Sequence, residues 1–128
     1  MQSFYLFTAR STSEVEPRLD QVGSRSEDAR QWFVPDREHQ LLRVEIVEDF
    51  VQELEPEIGR RIRDVLGTER CLSIVVDVSR RPGAGTCARR FAIEMMNGTC
   101  ALAMDDNSER LWKLADLSAG APPFADGY

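Results

Sequence analysis

Cys71 to Ser79 reads Cys-Leu-Ser-Ile-Val-Val-Asp-Val-Ser, and Leu72, Ile74, Val75, Val76 and Val78 make it a nearly unbroken, mostly β-branched apolar run. Such a run reads as a central strand covered on both faces. The residues just after it decide the class. Arg80-Arg81-Pro82-Gly83-Ala84-Gly85 is turn-forming, and then Ala88, Phe91, Ala92, Met95 and Met96 recur at helical spacing until Asn97-Gly98 stops them. A second apolar run, Thr99 to Met104, reads as another strand and ends on Asp105 and Asp106.

Working outward, Ser3 to Ala9 is short, apolar and aromatic, as expected of a first strand. Ser13 with Glu16 three residues on spells a capping box, with Pro17 in the first turn, and Val15, Leu19 and Val22 give the stripe of a helix that Gly23 ends. Ser24 to Gln31 is a polar surface loop. Trp32 to Val34 forms a short strand or an aromatic plug, closed by the turn signal Pro35-Asp36. Leu42, Val44 and Ile46 alternate with Arg43 and Glu45, which is the pattern of a half-exposed antiparallel strand in a hairpin with the Trp32 segment.

Pro56 at a first helical position opens a helix whose stripe is Ile58, Ile62, Val65 and Leu66, with Arg60, Arg61 and Arg63 off the stripe as a solvated face and Gly67 as the stop. Near the end of the chain Ser108 is placed to cap a last short helix carrying Leu111, Trp112 and Ala115; a strand from Leu111 to Leu117 is the alternative. These elements predict an α+β two-layer sandwich, a mixed β-sheet with helices packed on one face and a split β-α-β connection. Residues 1–117 form the single domain and 118–128, rich in Gly and Pro, a loose tail.

At 128 residues the chain can bury roughly two-thirds of its unfolded surface without staples. Its net charge of -6 repels phosphate, which argues against nucleic acid and anionic membranes and suits a basic partner. No leader pattern opens it, and no uncharged run approaches the roughly 18 residues of a membrane span, so a cytoplasmic protein is expected. Cys71, Cys87 and Cys100 lack paired metal-ligand spacing, and with His39 as the single histidine they read as free thiols rather than a zinc site. No metal or cofactor is expected.

Two enzymatic patterns compete for the same strand ends. Gly83-x-Gly85-x-x-Ala88 with Asp105 about 20 residues on matches the dinucleotide fingerprint, but Arg80, Arg81 and Pro82 intervene where a tight turn is needed. Asp77, Asp105 and Asp106 could instead hold magnesium for a small phosphate-handling hydrolase if they converge at the carboxyl edge of the sheet. Aspartates also close strands and cap helices with no further role.

Asp77-Val78-Ser79-x-Arg81-Pro82-Gly83, the next helix, Gly98 and Ala103-Met104-Asp105-Asp106-Asn107-Ser108-x-x-x-Trp112 resemble the C-terminal half of small bacterial immunity proteins of polymorphic-toxin systems. The likeness spans residues 71–117. It implies a non-enzymatic protein that neutralises a cognate toxin, without catalytic residues to carry over. Asp105, Asp106 and Glu109 are then the acidic partner contacts, with Arg80 and Arg81 beside them, and Trp112 belongs to the core rather than to the contact surface.

Overall fold

The computed structural model describes residues 2–98, 101–105 and 110–118. In chain order the elements are β1 (Gln2–Thr8), α1 (Thr12–Val22), β2 (Ser24–Arg25), β3 (Gln31–Val34), β4 (Leu42–Val47), a 3-10 turn (Phe50–Glu53), α2 (Pro56–Leu66), β5 (Leu72–Val78), α3 (Ala84–Met96), β6 (Ala101–Asp105), β7 (Leu111–Trp112) and α4 (Leu114–Ser118). The seven strands form one sheet in the order β2-β3-β4-β5-β1-β6-β7. The apolar run around Val76 is the middle strand, β5, between β1 and β4.

The class is α+β, with helices packed on the sheet. Every neighbouring pair is antiparallel, so the sheet is not mixed. The reason lies in the connections. β5, α3 and β6 form a β-α-β unit whose two parallel strands are held apart by β1, and β1 and β4 likewise run parallel with β5 between them. These are two interlocked split β-α-β units, the ferredoxin-like connectivity, to which β2-β3 and β7 add antiparallel edges.

Strand alternation sorts the side chains onto two faces. Phe4, Leu6, Val44, Ile74, Val76, Val78 and Ala103 point to the face covered by α1, α3 and α4, where Val15, Leu19, Ala88, Phe91, Ala92, Met96 and Leu117 complete the larger core. Phe7, Leu102 and Met104 point the other way, onto Val51 of the 3-10 turn and Ile58, Ile62 and Leu66 of α2. Helices therefore cover both faces rather than one. Which face an amphipathic helix chooses depends on its crossover path, and the stripe of α2 carries no mark of it.

Local chemistry explains the ends of the elements. α1 is capped by Ser11, two residues before the expected Ser13, because the Glu14 carboxylate accepts the Ser11 N–H at 3.2 Å and closes the box there. Pro17 consequently sits inside the helix, where the Ser13 carbonyl loses its usual donor. Arg18 of α1 donates to the carbonyls of Glu94, Met95 and Asn97, supplying both donors and positive charge at the C-terminus of α3. α2 starts at Pro56 and stops at Gly67, whose φ of 71° is the left-handed cap conformation.

Two side chains change place relative to the sequence reading. Val65, expected in the buried stripe of α2, is 44% exposed, while Gly59 faces inward against Val51. Trp112 is buried as expected, but in β7, paired with Ala103 of β6, and the short helix begins only at Leu114. A hairpin followed by one turn of helix thus replaces the expected single helix. Ser118 closes α4, and the Ser108 cap and the remainder of the tail lie outside the described residues.

Candidate functional site

The two ends of the sheet differ. β5 and β6 run in the same direction, so Arg80 and Arg81, after β5, lie at the same end as Asp105, the last residue of β6. With β1 between them, the two strands are two spacings apart, about 10 Å. The loop from β3 to β4 reaches this end too. Ser79 N–H donates to the Leu41 carbonyl at 3.0 Å, and the Arg81 guanidinium donates to the His39 carbonyl. His39 is held by Asp36, Nδ1 to Oδ1 at 2.9 Å, which raises the imidazole's pKa; backbone N–H donation from His39, followed by the imidazole, lowers that of Asp36. Arg80 and Arg81 are exposed. Asp106 and Glu109 lie outside the described residues.

Asp77 and Asp105 do not face each other. Asp77 stands opposite Ser3 in the β1–β5 pair, and Asp105 stands opposite Phe4 in the β1–β6 pair. Consecutive residues of β1 project to opposite faces, and directly opposed partners share a face, so the two carboxylates lie on opposite sides of the sheet. On its own face Asp77 accepts the Ser3 hydroxyl at 2.6 Å and pairs with Arg43 at 3.3 Å. Those contacts account for an aspartate in the central strand. Among the described residues no three His, Cys, Asp or Glu side chains gather as a metal site would require.

The glycines after β5 serve geometry at the start of α3. Gly83 is the N-cap with φ of 86°, a left-handed conformation that other residues adopt at a cost, and Gly85 is buried in the first turn. β6 is not the parallel neighbour of β5 that the dinucleotide layout requires, since β1 occupies that position. Cys71 is buried and Cys87 half-buried; both are free, and burial pushes both thiols up, away from the reactive thiolate. Cys100 lies outside the described residues.

A concave surface lies at the other end of the sheet, where β1 and β4 finish and β5 begins. It is an open cleft of about 640 Å³ lined by residues 9–12, 14, 48–49, 51–52, 63 and 68–72. One wall is the first turn of α1 and the other is the 3-10 turn with the C-terminal part of α2. Thr12 donates to Glu48 at 3.2 Å between them. Sequence reading missed the cleft because its lining comes from four separated segments, none with a recognisable motif. The one available signal was Arg63, set aside with Arg60 and Arg61 as a solvated face; those two are exposed, whereas Arg63 is half-buried and lines the cleft.

No described helix is long and apolar enough to cross a membrane. No protein-family model, curated protein or solved structure matches this chain.

Proposed function

We propose that the chain is a non-enzymatic partner-binding protein of the immunity kind, which holds a cognate bacterial toxin in the cytoplasm. The contact lies where β5 and β6 end. Asp105, Asp106 and Glu109 supply acidic contacts to a basic toxin surface, and exposed Arg80 and Arg81 lie at the same end of the sheet as Asp105. The observation that carries the choice is the placement of Asp77 and Asp105 on opposite faces of the sheet. A magnesium hydrolase needs its carboxylates within coordination distance of one ion, whereas an inhibitor uses side chains spread along one exposed edge. The net charge of -6 adds long-range attraction to a basic partner.

The test is co-expression with the product of the adjacent reading frame. The expected result is a complex that survives gel filtration and restored growth of cells carrying the toxin. Growth arrest that persists, together with elution as separate species at micromolar concentration, contradicts the reading.

A further inference from the structure

The cleft at the far end of the sheet calls for its own explanation, independent of the partner-binding edge. Much of its polar lining is already satisfied. Glu14 closes the Ser11 capping box, Glu48 accepts from Thr12, Arg10 donates to the Gly98 carbonyl at 3.2 Å, and Thr68 bonds the backbone at Arg70. Four charged side chains are left over. Arg63 and Arg70, and opposite in sign Asp49 and Glu69, line the same cleft without a side-chain hydrogen bond or ion pair among the described residues. Arg63 is half-buried and lines the cleft, with no anion paired to it among the described residues.

The Arg63 guanidinium lies close over Gly59. Gly59 is a buried glycine in the interior of α2, where alanine would favour the helix by about 1 kcal/mol. A methyl group at Gly59 would lie 3.3 Å from Arg63 Nη1 and 3.4 Å from the Val51 carbonyl oxygen. An added Cβ would be tight only against the end of the flexible Arg63 side chain, which a few tenths of an ångström relieve, so Gly59 marks where the Arg63 guanidinium lies against the 3-10 turn.

We propose that this cleft binds a small zwitterion of the α-amino-acid class, its carboxylate on Arg63 and Arg70 and its ammonium toward Asp49 and Glu69. The volume is within the usual range of small-molecule sites, roughly 300 to 1,000 Å³. The two acids repel a simple anion and the two arginines repel a simple cation, so a molecule carrying both charges is the one that both pairs attract. Seating it stabilises the half-buried guanidinium with a charge-assisted, bidentate partner.

The experiment is titration of the full chain with L-serine, followed by amide chemical shifts, with acetate and ethylammonium as half-ligands. Serine is expected to bind saturably, with shifts confined to residues 9–12, 48–52, 63 and 68–72, while each half-ligand binds at least tenfold more weakly. Arg63→Met and Asp49→Asn should each weaken serine binding about tenfold or more. Gly59→Ala should weaken it without removing any lining group and without lowering the melting temperature by more than a few degrees. Acetate binding as tightly as serine overturns the zwitterion, and so does undiminished binding by both folded wall variants. Absence of saturable shifts in the cleft with serine overturns the site. None of these outcomes bears on the toxin-binding edge, which lies at the other end of the strands.

Discussion

The Ser3 hydroxyl donates to the Asp77 carboxylate at 2.6 Å across directly opposed positions of β1 and β5, which commits the only acid of the central strand to the sheet. Arg43 on β4 reaches the same carboxylate at 3.3 Å, so three adjacent strands are tied through one side chain. Asp77→Ala should therefore cost stability, about 1 to 2 kcal/mol, by leaving Ser3 and Arg43 without their acceptor. Millimolar magnesium should leave the melting temperature of both proteins unchanged. Thermal melts with and without magnesium check this, and a rise of several degrees that Asp77→Asn abolishes would return the acids to a metal site.

Val76 is fully buried at the centre of the sheet, opposite Phe4 on one side and Val44 on the other, both of them also fully buried. Val76→Asp places an unpaired charge there, and desolvation of several kcal/mol is comparable with a typical total stability of roughly 5 to 15 kcal/mol. The variant is expected not to fold, as read by urea denaturation. A wild-type midpoint would contradict the assignment of β5 as the central strand.

The core strands were legible because their chemistry is local. The β-branched run from Leu72 to Val78 and the alternation from Leu42 to Val47 need no distant information, and neither do the stops at Gly23, Gly67 and Asn97-Gly98. The β-α-β connection was legible as well, because a buried strand, an amphipathic helix and a second apolar strand in close succession require a crossover. The face chosen by α2 was not legible, nor was the strand at Trp112, because pairing with Ala103 overrides the helical spacing of Leu111 to Ala115. Arg80, Arg81 and Asp105 do share one end of the sheet. Asp77 and Asp105 sit at similar positions on parallel strands, yet a shift of one residue in register relative to β1 turns them to opposite faces. The cleft is a product of tertiary assembly alone.

Gly23 ends α1 in extended backbone, with φ of -153°, so its side-chain hydrogen is required by space rather than by conformation. A Cβ there would lie 2.8 Å from the Phe33 carbonyl oxygen and 3.0 Å from Val34 Cγ2. Gly23→Ala should push β2 and β3 away from the helix end and cost about 1 to 3 kcal/mol, which thermal denaturation would register. Gln21→Ala, at an exposed position of the same helix, gives the control, with a change within about 0.5 kcal/mol.

Asp20 links α1 to the sheet edge, accepting from Arg25 at 2.7 Å and from the Trp32 indole N–H at 2.9 Å. The Arg25 hydrogen bond first, and the Trp32 bond second, hold its carboxyl below the ordinary aspartate value of 3.8. A depressed folded-state pKa contributes stability that is present above the unfolded value and is lost as pH falls through the folded one. The difference in urea midpoint between wild type and Asp20→Asn should accordingly be largest at neutral pH and shrink below about pH 4. A difference that stays constant down to about pH 2 would mean that the carboxylate is not the stabilising species.

The most direct measurement is the association rate of the chain with its cognate toxin, for wild type and for the triple variant Asp105→Lys, Asp106→Lys, Glu109→Lys, at low and moderate salt. If the acidic end of the sheet meets a basic toxin surface, the folded variant associates about tenfold or more slowly at low salt and its rate depends less on salt than that of wild type. A folded triple variant that associates at the wild-type rate at both salt concentrations contradicts the acidic interface.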